Sequence, residues 1–171
     1  VAAALSELLD SSQNVLIMGH RFADLDCLGA AVGLYYPIQQ MGKPVKIILN
    51  SRANMVKQLH ARLIEQGFDQ AFIEPEVALD YVTEETLLII VDVHTPHFIE
   101  APEVYKKCKN VVVIDHHRKM VDYIDNAVIF HHEPYASSAS EMVAELLQYF
   151  GDKYKPNSAA AEALLAGMML D

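Results

Sequence analysis

Residues 87–94 read Leu-Leu-Ile-Ile-Val-Asp-Val-His, and residues 111–117 read Val-Val-Val-Ile-Asp-His-His. Each is a short apolar run that stops on an aspartate with histidine close behind. Neither run alternates polar with apolar residues. A strand of that kind is covered on both faces, as in a parallel sheet held between helical layers. The acid and histidine fall where such a strand ends, which is where ligands bind in open parallel sheets.

The same grammar extends outward along the chain. Val15 to Met18 is a third buried run, closed by Gly19, and Val45 to Leu49 a fourth. Ala71 to Ile73 and Val128 to Phe130 are shorter strand candidates. Apolar positions at helical spacing predict helices over 1–11, 25–41, 53–66, 76–81, 101–108, 137–150 and 157–170. Gly67 is placed to close the third of these, and Pro37 is expected to kink or shorten the second. Strands separated by helices predict an α/β fold, a mostly parallel sheet flanked by helices on both faces with right-handed connections. At 171 residues and 52% hydrophobic content, the chain has room for one domain, or one and a short tail, with its own core, and an ordered fold is expected. No run approaches the ~20 apolar residues of a membrane span. Val1 is not a methionine, so the chain is expected to begin inside a longer gene product.

Formal charge is −10, from 13 Lys and Arg against 23 Asp and Glu. That balance argues against long nucleic acid as a ligand, since such binding needs a basic surface. It leaves open a small anionic substrate, because carboxylates that hold divalent cations count as negative until the cations are added. Cys27 and Cys108 lack metal-type spacing, which fits a reducing, cytosolic setting. No GxxxxGK[ST], GxSxG or strand-linked GxGxxG occurs, so P-loop, serine-hydrolase and dinucleotide-cofactor chemistry are unsupported.

Acids and histidines gather at strand ends instead. Gly19-His20-Arg21-Phe22-Ala23-Asp24-Leu25-Asp26 follows the first strand, Asp92-Val93-His94 a later one, and Asp115-His116-His117 the next. Asp171 ends the chain after an apolar helix. Any one of these aspartates could instead cap a helix. Three strand ends bearing acid or histidine in one short chain point more strongly to a metal site. Asp24 and Asp26, two apart on a turn, can reach two adjacent cations, and a central Asp92 can bridge them. Carboxylate and imidazole together tilt the choice toward Mn over Mg. His131-His132-Glu133 is read as a solvated loop, His94 and His97 as loop residues beside Pro96, and Cys27 as a small buried helix residue.

The Asp115-His116-His117 tripeptide, with His20-x3-Asp24-x-Asp26 upstream, resembles the DHH phosphoesterase superfamily. Four motifs stand in that family's order: GHRFADLD at 19–26, VDVH at 91–94, IDHHR at 114–118 and LLAGMMLD at 164–171. Within it, residues 17–33, 111–119 and 133–149 are most similar to GdpP-type cyclic-di-AMP phosphodiesterases. Ala23 stands where proline is frequent in that group, a change that removes no ligand.

The resemblance implies that residues 1–171 are a DHH catalytic subdomain. His20 and Asp24 would hold one metal, Asp26, His116 and Asp171 a second, with Asp92 bridging. His117 would sit at the substrate phosphate and assist catalysis, and Arg118 would balance phosphate charge. The implied cofactor is two Mn2+, with Mg2+ or Co2+ as substitutes. The implied reaction is hydrolysis of cyclic-di-AMP to linear 5′-pApA. Alternatives are an oligoribonuclease, a phosphoadenosine-phosphate phosphatase, a pyrophosphatase, or a metal-binding fragment with little activity alone. A C-terminal DHH-associated substrate-binding domain and N-terminal regulatory and membrane parts, usual in the family, are absent from this chain. The expected partner is a cyclic dinucleotide, with no membrane contact by this segment, and a homodimer is allowed. Localisation is expected to be cytoplasmic, in a full-length protein anchored at the membrane. The chain has no Trp, and its Tyr residues fall mostly on predicted helices, so weak nucleotide affinity is expected of this segment by itself.

Overall fold

A computed structural model describes residues 1–170. Six strands form one sheet: β1 (Asn14–Met18), β2 (Val45–Ile48), β3 (Phe72–Ile73), β4 (Thr86–Val91), β5 (Asn110–Asp115) and β6 (Ile129–His132). Their spatial order is β3-β2-β1-β4-β5-β6, and every pairing is parallel. The order reverses between β1 and β4. Connections there leave in opposite directions, which opens a crevice at the carboxyl ends of those two strands.

Period-two alternation builds two cores from single strands. Val15 and Ile17 of β1, Leu87, Ile89 and Val91 of β4, and Val112 and Ile114 of β5 join one buried cluster. Leu16 and Met18, Leu88 and Ile90, and Val111 and Val113 join the other. The first cluster is roofed by α1 (Ala2–Ser11), α2 (Leu25–Gln40), α6 (Ala139–Leu147) and α7 (Ser158–Leu170), with α3 (Lys57–Leu63) at its margin. The second is covered by the short α4 (Pro75–Ala78) and α5 (Pro102–Lys107) and the loops around them.

The predicted elements all occur; most helices end a residue or two short of the prediction, while β1, β4, β5 and β6 run one or two residues longer at one end or both. Pro37 sits inside the last turn of α2, which runs only to Gln40. Gly67 has φ +100 and turns the chain out of the helical segment after α3, as a C-terminal glycine does. One correction concerns residues 131–133: His131 and His132 complete β6, paired to Ile114 and Asp115, so they belong to the sheet edge and not to a solvated loop. Helices α2 and α7 approach backbone to backbone. A Cβ on Gly29 would lie 2.4 Å from the Ala163 carbonyl oxygen, and one on Gly33 would lie 2.5 Å from Leu164 Cδ2. Among the described residues no helix is long and apolar enough to cross a membrane.

Candidate metal centre

The crevice between β1 and β4 receives side chains from four segments. After β1 the backbone makes a tight turn in which Phe22 has φ +56, a conformation costly for a bulky residue. That turn brings His20 back toward Asp24, with His20 Nε2 3.5 Å from Asp24 Oδ1. Asp24 also caps α2, its Oδ1 accepting the Cys27 N–H at 2.9 Å. The capping role and the cluster role therefore fall on one oxygen.

Asp92, directly after β4, has φ +63 and is 1% exposed. Its Oδ2 lies 3.2 Å from His20 Nε2, and its Oδ1 lies 3.3 Å from His116 Nε2. His116 Nε2 is in turn 3.4 Å from Asp26 Oδ2. Two groups of donor atoms thus share one carboxylate, one oxygen in each. Atoms coordinating a single cation at about 2.0–2.2 Å are spaced roughly 3.0–3.5 Å apart, so each group has the spacing of a coordination shell.

The surroundings prepare these donors. His20 Nδ1 donates to the Arg21 carbonyl at 2.8 Å, which leaves Nε2 to face the carboxylates. Asp26 is buried at the amino end of α6, where its two oxygens accept the Ala139 and Ser140 N–H groups at 2.8 Å each. Those donors at a helix N-terminus stabilise a carboxylate without any cationic side chain. Burial opposes charge on His20, yet hydrogen bonds to Asp24 and Asp92 overcome it and raise its ionisation to about 11. The same pairing, working against burial, lowers Asp24 to about 2. Burial raises Asp92 to about 6, with Asp26 and Asp24 adding to the effect and His116 and His20 opposing it.

The donor set fits divalent cations. Among the described residues no lysine or arginine pairs with Asp24, Asp26 or Asp92. Asp92 Oδ1 is buried and accepts no well-formed hydrogen bond. Asp171 lies outside the described residues.

A second layer was not legible as such in the sequence. Asp115 is fully buried, and its Oδ1 accepts from His117 Nδ1 at 2.7 Å and from the His116 N–H at 2.8 Å. Its Oδ2 lies 2.6 Å from His94 Nδ1. His94 Nε2 accepts the Met120 N–H at 3.0 Å, so the ring proton is on Nδ1 and points at Asp115. His132 Nε2 donates to the His117 carbonyl. Asp115 thus positions His117, with its Nε2 the nitrogen left for the cleft. The hydrogen bond that His117 donates to Asp115, against burial, raises the ionisation of His117 and favours its protonated form. His97, by contrast, is exposed and pairs with Asp122 at 2.5 Å. Cys27 Sγ lies near His20 and Asp92, but burial pushes its thiol well above the usual range, so it stays protonated.

The family model for the DHH family, N-terminal domain, matches residues 14–168. The chain belongs to the DHH family. This DHH domain is 39% identical over 176 residues to cyclic-di-AMP phosphodiesterase GdpP of Geobacillus thermodenitrificans and 38% identical over 174 residues to that of Bacillus subtilis. It is 33% identical to cyclic-di-AMP phosphodiesterase PdeA of Listeria monocytogenes. Each alignment takes in 100% of the chain but 26% of the relative, so the DHH domain spans about a quarter of those proteins' length. Among solved structures it is similar to an exopolyphosphatase-related protein from Bacteroides fragilis, with TM-score 0.77 and 20% identity over 99% of this chain and 49% of that one. Exonuclease RecJ bound to manganese is more distant, with TM-score 0.55 and 16% identity over 98% of this chain and 41% of that one. These structural likenesses establish the fold.

Proposed function

We propose that the DHH domain is the catalytic part of a cyclic-di-AMP phosphodiesterase that yields linear 5′-pApA. The observation that carries the reading is Asp92, whose two oxygens each belong to a separate histidine-carboxylate group. His20 and Asp24 would hold one cation, and Asp26, His116 and Asp171 a second, with Asp92 between them. Mn2+ suits this mixed oxygen and imidazole set, and Mg2+ or Co2+ could substitute. When bound, such a pair supplies Lewis-acid polarisation of the phosphoryl oxygens and a water acidified toward neutral pH.

The chain's own residues supply the rest. His117, oriented by Asp115, turns Nε2 toward the phosphate and, when protonated, can donate to the leaving oxygen. Arg118 lines the same cleft and can offset phosphate charge. Burial of Asp92 and Asp115 keeps water from competing for these hydrogen bonds. The 33–39% identity to three cyclic-di-AMP phosphodiesterases supports this substrate over pyrophosphate or oligonucleotides. In this reading the domain works in the cytoplasm within a longer, membrane-anchored protein. A C-terminal domain would complete the substrate site, and a homodimer is compatible.

The test is Mn-dependent turnover of cyclic-di-AMP by the full-length protein, alongside pyrophosphate and short oligonucleotides. Asp92→Ala should abolish turnover and reduce the bound metal. Undiminished hydrolysis by Asp92→Ala, or preference for pyrophosphate, would overturn the proposal.

A further inference from the structure

The cleft beside the metal centre continues past Asp92 and His117 into a cavity of about 310 Å³. Val93, Phe98 and Met120 line it beside Arg21 and Arg118, so apolar surface adjoins cationic groups suited to a phosphate. Phe98 is 58% exposed and Met120 52% exposed, so both offer apolar surface to a ligand in the cavity.

Both are held on pinned backbone. The Phe98 carbonyl accepts the Arg21 N–H at 2.8 Å, and Glu100 N–H donates to the Gly19 carbonyl at 2.9 Å, so the 98–100 segment is clamped to the turn that carries His20. The Met120 N–H is tied to buried His94 at 3.0 Å, and the Ile124 N–H returns to the His94 carbonyl at 2.8 Å. The pinned backbone holds both side chains at the cavity, where the Phe98 ring offers a face on which a base can stack.

We infer that Phe98 and Met120 form a nucleobase shelf within the DHH domain. The inference rests on the proposed phosphodiesterase reading for the phosphate end of the ligand. It assigns the domain base recognition that a count of Trp and Tyr does not reveal, because the shelf is built from phenylalanine and methionine.

The experiment compares 5′-AMP with ribose 5-phosphate, which keeps the phosphate and sugar but lacks the base. Binding to the full-length protein is measured by calorimetry with Mn2+ present. Wild type should bind 5′-AMP at least about fivefold more tightly than ribose 5-phosphate, the low end of a base stack. Phe98→Ala and Met120→Ala should each shrink that ratio while leaving ribose 5-phosphate affinity unchanged. Equal affinity for the two ligands in wild type, or an undiminished ratio in both Phe98→Ala and Met120→Ala, would overturn the shelf. Absence of cyclic-di-AMP turnover in wild type, with the binding difference intact, would instead overturn the phosphodiesterase reading and leave the shelf standing.

Discussion

Gly19 and Cys27 share one small volume directly beneath the cluster, and a double-mutant cycle on them measures how tightly that volume is filled. A Cβ added at Gly19 would lie 1.8 Å from Cys27 Sγ, where ordinary contact begins at 3.4 Å. Cys27 is 3% exposed in the first turn of α2, so its sulfur has no solvent to move into. Gly19→Ala should therefore cost about 1–3 kcal/mol of stability, the range for overpacking a filled core. It should also cost activity, because the displaced backbone carries His20 on one side of the clash and Asp26 on the other. A shift near 1 Å at such groups is worth about 100-fold in rate. Cys27→Ala alone loses a small buried group, about 1 kcal/mol. In the double variant the sulfur is gone, and the nearest remaining atoms are the Val91 carbonyl oxygen at 3.1 Å and the residue 27 Cβ at 3.5 Å. Stability should return to about that of Cys27→Ala, and Gly→Ala can add about 0.4–1 kcal/mol by restricting the unfolded chain. Denaturant unfolding of chelator-treated protein reads the coupling, and turnover reads the geometry. The expected coupling is about 1–3 kcal/mol in favour of the double variant. Additive losses within about 0.5 kcal/mol would refute the shared-volume argument.

Other predictions follow from the same geometry. Asp115→Asn, which cannot accept from both His94 and His117 as a carboxylate does, should lower metal affinity or turnover by about 10- to 100-fold, checked by metal titration and steady-state kinetics. In metal-free protein the raised ionisation of His20 gives stability fully present below pH 6.5 and lost as pH rises toward about 11. The lowered ionisation of Asp24 gives stability present above pH 3.8 and lost as pH falls toward about 2. Melting curves across pH should show both shoulders, and His20→Asn should weaken the alkaline one. Cation binding must displace the His20 proton, so apparent affinity should rise as pH rises toward about 11, with proton release measurable in weakly buffered solution. Gly29→Ala should destabilise by about 1–3 kcal/mol despite better helix propensity, because its Cβ would meet the Ala163 carbonyl oxygen at 2.4 Å and cannot be relieved by a rotamer.

Much of the architecture is local information. Runs such as Leu87 to Val91 and Val111 to Ile114 specify strands buried on both faces, because side chains alternate across a pleat and both sets are apolar. From that follow the parallel sheet, its helical layers, and the placement of Asp92 and Asp115 at strand ends. The DHH motifs name the histidines and carboxylates that the fold then gathers at β1, β4 and β5. Other features arise only once distant segments meet. The strand order, with its reversal between β1 and β4, depends on which edges pair, and no single segment encodes that. His94 and His132 look like loop histidines in one dimension, yet one is locked to Asp115 and the other completes β6 against it. Asp115 reads as part of a motif, but its work of aligning His117 comes from partners 21 residues away and from complete burial. The Phe98–Met120 wall joins two loops that have nothing in common as sequence. Local pattern dictates which faces are apolar and where strands stop. Hydrogen-bond partners, burial and cavities depend on packing between elements, and those decide which of the polar residues at the strand ends can act together.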